Sequence, residues 1–127
     1  MPEHLFEYAV VRVVPRVERE EFFNVGVVLY CARPRFLQVK FDCGLQRFSA
    51  LSDTLDIAEV EEYLKSFERI CIGKEDAGPI GKLPVAERFR WLTATRSTVV
   101  QSSKVHPGLC SDPAEMLERL YQQMVQR

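Results

Sequence analysis

The sequence predicts an α+β fold: an antiparallel sheet, made of a three-stranded N-terminal meander plus a later strand, packed by three helices. Two observations carry this expectation. Over the first 41 residues, apolar side chains alternate or run in short valine-rich blocks, the pattern of extended chain. From Asp56 onward they recur every three or four positions between capping residues, the period of a helix. Strands first and helices later is the segregated order of an α+β chain.

The elements follow in order. Leu5 to Val14 is rich in strand formers and stops at Pro15, which cannot donate to a ladder. Arg16 to Glu21 reads as a connection, and Val25 to Cys31 as the second strand. Both faces of these two strands are largely apolar, so each is expected to be covered on both sides or to lie at the sheet centre. Ala32-Arg33-Pro34-Arg35 is a turn, and Phe36 to Phe41 alternates Leu37, Val39 and Phe41 against Gln38 and Lys40. Asp56 with Glu59 forms a capping box before a stripe of Ile57, Val60, Leu64, Phe67 and Cys71, and Gly73 supplies the stop. A short helix starts at Pro84 with Val85, Phe89 and Leu92 on one face. Thr98 to Gln101 is β-branched and reads as the fourth strand. Asp112-Pro113 opens the last helix, with Met116, Leu117, Leu120, Tyr121 and Met124 as its buried face.

Composition bounds the function. The chain has 127 residues, 46% of them hydrophobic and 28% charged, which describes one globular domain over residues 1–127 with no need of a staple. Lys and Arg number 17 against 18 acids, so nucleic acid is not an expected partner. The longest mostly apolar stretch, Val25 to Ala32, is far below the roughly 20 residues that span a bilayer. The start, Met1-Pro2-Glu3-His4, has no secretory pattern, and the four cysteines (Cys31, Cys43, Cys71, Cys110) show no paired spacing. A cytoplasmic protein with reduced thiols, no metal and no cofactor is the expectation.

Charge is spread unevenly. Residues 51–78 carry a net −5 and residues 79–110 a net +4. A block of charge is most simply a solvated face. Whether the two blocks meet within one chain or across the copies of a homo-oligomer is left open.

Two clusters hold the candidate chemistry. The denser one is Thr93-Ala94-Thr95-Arg96-Ser97-Thr98, followed by Gln101, Ser103 and His106-Pro107-Gly108. Arg96 offers a bidentate fork to phosphate or carboxylate, and Ser97 adds a short donor. His106, one of two histidines, is expected in a loop held by Pro-Gly, where it would serve as a general acid or base. The second cluster is Arg19, Glu21, Asn24 and Gly26, with Arg12 on the preceding strand. Asn24 and Gly26 suit a bulge or a close backbone approach. Arg12 interrupts an apolar strand, so it sits either at an edge or beside an acid such as Glu21. Phe89 and Trp91, beside Arg88 and Arg90, read as the buried aromatics of an amphipathic helix. No Walker loop, dinucleotide glycine pattern, HExxH helix or nucleophile elbow occurs.

The segment Tyr8-x-x-x-Arg12-x-x-Pro15, then Arg19-x-Glu21-x-x-Asn24-Val25-Gly26-Val27-Val28-Leu29, is similar to the start of the bacterial domain-of-unknown-function family 3037. Phe89-x-Trp91-Leu92-Thr93-Ala94-x-Arg96-Ser97-Thr98-Val99-Val100-Gln101, with Val105-His106-x-Gly108 and Asp112-Pro113, resembles its C-terminal signature. Proline commonly stands in that signature where this chain has Thr95 and Ser103. The resemblance implies a bacterial protein and suggests a kinase-like partner of the HipA type, because members are often encoded beside one. It supplies no activity.

The function expected on these grounds is a non-enzymatic binding or accessory module. It would present Arg12, Asn24, Arg96, Ser97 and Gln101 to an anionic small molecule or to the kinase-like protein. The alternative is a small phosphodiester- or phosphate-processing enzyme, with His106 as acid/base, Arg96 as charge stabiliser and Glu21 as a second proton carrier.

Overall fold

A computed structural model describes residues 3–15, 22–42, 44, 56–94 and 99–126. Three strands open the chain: β1 (His4–Val13), β2 (Phe23–Cys31) and β3 (Phe36–Phe41). Cys31 pairs with Phe6 on one side and with Phe36 on the other, so the expected meander forms. The helix α1 (Ile57–Ile72) follows, then two short turns of 3-10 helix and α2 (Val85–Leu92). Two short strands, β4 (Val100–Ser102) and β5 (His106–Cys110), lead into α3 (Pro113–Met124).

One antiparallel sheet holds all five strands in the order β3-β2-β1-β4, with β5 also on β1. β4 pairs with Val11 to Val13, and β5 with His4 to Tyr8. The side of β1 away from β2 is thus shared by two short strands.

The sequence reading is right in class and short by one strand. β4 begins at Val100, and Thr98 lies outside the described residues. His106, expected in a loop, is instead the first residue of β5. Pro107 and Gly108 disguise this strand, since both are poor strand formers. Each has a local reason. Proline is tolerated in an edge strand, and Gly108 lies opposite Phe6, where a Cβ would stand 2.5 Å from the ring.

Each face of the sheet has its own core. Ala9, Val11, Val13 and Val28 pack toward Leu64 and Phe67 of α1 and Phe89 of α2. Phe6, Val27, Leu29 and Cys31 pack toward Leu117, Leu120 and Tyr121 of α3. That double cover is why β1 and β2 are apolar on both sides. Each such side chain contributes about 1.5–3 kcal/mol on burial.

The caps are those the sequence announces. The Asp56 carboxylate accepts from the Glu59 N–H at 3.2 Å, and Gly73 ends α1 at φ 76°. The Asp112 carboxylate accepts from Ala114 N–H at 3.0 Å, with Pro113 in the first turn. In α2, Phe89 is buried and stacks on Tyr30 with ring centres 5.3 Å apart. Trp91 departs from the expectation: it is 39% exposed. Among the described residues, no helix is long and apolar enough to cross a membrane.

Candidate functional site

A bulge builds the site. Val11 faces Gly26, but the next residue, Arg12, faces Asn24, so Val25 is an extra residue in β2. The slip reverses which faces the residues beyond it take. Val25 joins Val28 in the core under α1 and α2. Asn24 turns to the α3 side, where its Nδ2 donates to the Met124 carbonyl at 3.1 Å. Gly26 permits the bend, because a Cβ there would stand 2.7 Å from the Lys40 carbonyl oxygen.

Arg12 is the centre of a row. Its cross-strand partners are Asn24 on β2 and Gln101 on β4, and such partners share one face of the sheet. Three polar side chains from stretches far apart in sequence therefore line up on the face that α3 covers. Arg12 lies on an interior strand, which removes the edge alternative. Its guanidinium sits over the Phe22 ring, 4.1 Å from the centroid, a cation–π contact that fixes its direction. The Arg12 Nε and the Asn24 Oδ1 are both buried, and neither finds a hydrogen-bond partner among the described residues. One is a donor and the other an acceptor. Leaving each unmatched costs about 1–3 kcal/mol.

His106 shares that face but not that row. It is exposed, opposite Tyr8, with the two rings 5.3 Å apart. Tyr8 and Arg12 are four residues apart on β1, about 13 Å at the rise of an extended strand. Between them, Ser103 ties β4 to β1. Its Oγ accepts from the Val10 N–H at 2.8 Å and donates to the Lys104 carbonyl at 2.9 Å. Glu21, Arg96 and Ser97, and with them Arg19 and Thr95, lie outside the described residues.

Much of the basic segment is engaged within the fold. Arg90 pairs with Glu7 at 2.9 Å. Arg88 is buried and donates to three carbonyls: Leu83 at 3.0 Å, Ile70 at 2.8 Å and Cys71 at 2.9 Å. Sequence reasoning missed this role, although a signal was present. Arg88 lies three residues after Val85 and four before Leu92, on the apolar stripe of α2.

The described thiols offer little chemistry. Cys31, Cys71 and Cys110 are buried and unbridged. Burial pushes the Cys71 thiol up to about 12, against the opposing pull of Arg88. Among the described residues, no three His, Cys, Asp or Glu side chains are grouped as a metal site requires.

Fold and site together define an α+β protein with a polar row across its sheet, tied at Asn24 to the end of α3. The chain belongs to the family of proteins of unknown function DUF3037, whose model matches residues 8–125. That match agrees with the resemblance read from the two motifs. No match is found among curated proteins or among solved structures.

Proposed function

We propose that the chain is a non-enzymatic binding or accessory module whose Asn24–Arg12–Gln101 row receives an anionic group. The group belongs to a small molecule or to a kinase-like protein partner of the HipA type. One observation carries the reading: a buried guanidinium donor and a buried amide acceptor, side by side in register, both lack partners among the described residues. A protonated oxygen on an anion answers both, accepting from Arg12 Nε–H and donating to Asn24 Oδ1. Met124 holds the Asn24 amide in the orientation that presents this oxygen. Arg96 and Ser97, from the segment joining α2 to β4, are assigned as further donors.

The binding reading is preferred because Arg12, Asn24 and Gln101 form one row, whereas His106 faces Tyr8, whose backbone lies about 13 Å along β1 from that of Arg12. His106 is assigned instead to the far end of an extended ligand or partner.

The test is co-purification with the kinase-like protein together with titration of inorganic phosphate, followed by NMR. Arg12→Gln and Arg96→Ala, with folding verified, should each abolish the complex or the phosphate-induced shifts. Retention of both in Arg12→Gln removes the row from the proposal.

A further inference from the structure

Two buried atoms of the row define a chemical complement. Arg12 and Asn24 face each other across the ladder, a pairing that sets Cβ atoms about 4.5–5.5 Å apart. Among the described residues, Arg12 Nε–H is a donor without an acceptor and Asn24 Oδ1 an acceptor without a donor. The two do not bond to each other. One atom that accepts from the first and donates to the second would match both.

The surroundings fix which way each side chain faces. The Met124 carbonyl accepts from Asn24 Nδ2 at 3.1 Å. A flipped amide would set two oxygens against each other, so Oδ1 is the atom presented. The Phe22 ring covers one face of the Arg12 guanidinium at 4.1 Å. Guanidinium N–H bonds lie in the plane of the group, so the ring leaves the donor edge clear.

We infer, resting on the anion reading above, that the row selects a phosphomonoester group by the proton that group retains. Arg12 calls for negative charge, and Asn24 calls for an O–H on the same group. Carboxylates have lost their protons at neutral pH, sulfate esters likewise, and a phosphodiester has none to give. A phosphomonoester, with a second pKa of about 6, keeps one O–H on part of its population. Its protonated oxygen accepts from Arg12 Nε–H and donates to Asn24 Oδ1. A charged oxygen of the same group meets a second N–H of the guanidinium fork.

The experiment titrates the full chain with methyl phosphate, dimethyl phosphate and methanesulfonate while recording amide shifts by NMR. At about pH 5.5 all three carry one negative charge, and only the first has an O–H. Methyl phosphate should bind about tenfold more tightly than the other two, the worth of one hydrogen bond, with shifts centred on Arg12 and Asn24. Asn24→Leu should erase that preference and leave the weaker binding, whereas Arg12→Gln should abolish binding of all three. The wild-type series decides the matter even if Asn24→Leu fails to fold. Equal binding of the three probes overturns the proton assignment while the anion reading stands. No binding of any probe, or shifts centred elsewhere, overturns both, and water then matches the two atoms. Hydrogen carbonate that outbinds methyl phosphate at about pH 7.5, where part of the ester is still protonated, overturns the phosphoryl class. A phosphoserine peptide that outbinds methyl phosphate places the monoester on a protein partner, and one that does not places it on a small molecule; either result upholds the monoester.

Discussion

Arg88 donates to the Ile70 carbonyl at 2.8 Å, so a guanidinium from one helix closes the last turn of the helix before it. Carbonyls at a helix C-terminus have no partner within the helix and attract positive charge. Arg88 supplies both a donor and a cation there, from a buried position reached through Leu83.

Replacing Arg88 should therefore damage the fold more than its place in a basic segment suggests. Arg88→Met leaves three carbonyls to fend for themselves at about 1–3 kcal/mol for each that stays buried. A loss of at least about 2 kcal/mol is expected in urea unfolding. Arg88→Lys should recover little, since one ammonium cannot reproduce a planar fork. Wild-type stability in Arg88→Met would remove the capping role.

Gly73 should be coupled to the same guanidinium. A side chain at φ 76° is strained, and a Cβ there would stand 2.4 Å from Arg88 Nη1. Gly73→Ala should cost about 1–2 kcal/mol from the backbone alone, with a further loss from displacing Arg88. In an Arg88→Met background that further loss disappears. A double-mutant cycle measures the difference, and strict additivity would show the two positions to be independent.

Cys71 should be inert in the folded protein. Burial pushes its thiol up to about 12, so the reactive thiolate is scarce at pH 8. Iodoacetamide labelling followed by peptide mapping should find Cys71 unmodified until denaturant unfolds the chain. Labelling at the rate of a free thiol would contradict its burial.

Lys40 and Glu118 make stability dependent on acid. A hydrogen bond from Lys40 holds the Glu118 carboxyl below its ordinary value. An acid depressed in the folded state stabilises above its unfolded value and loses that contribution as pH falls through the folded one. The stability gap between wild type and Glu118→Gln should be flat at neutral pH and close below the usual carboxylate range. Lys40→Met should return the Glu118 titration, followed by NMR, toward ordinary. Both side chains are well exposed, so added salt should shrink the effect.

How much was legible depended on whether a residue's role is local. The capped ends at Asp56, Gly73 and Asp112 depend on neighbours within four positions, and the local sequence predicts all three. The third strand, Phe36–Phe41, was read to the residue because its alternation is unbroken. β5 was not, because Gly108 is required by Phe6, about 100 residues away in sequence, and nothing near it says so. The same limit applies to the site. Arg12, Asn24 and Gln101 were singled out for their chemistry, but only register shows them to be one row. His106 was singled out equally and lies on another. Arg88 was counted with surface charge, since its carbonyl partners belong to a different helix.

One strand that borders three others has a consequence for synthesis. β1 is made before β2 and β3, which can fold back on it at once. Its remaining neighbours emerge about 100 residues later, a wait of roughly 5–20 s at usual elongation rates. Throughout that interval the nascent chain carries an unpaired strand edge, a template for stray polypeptide. A chain stopped before Val100 lacks both of these strands and should precipitate where the complete one stays dispersed.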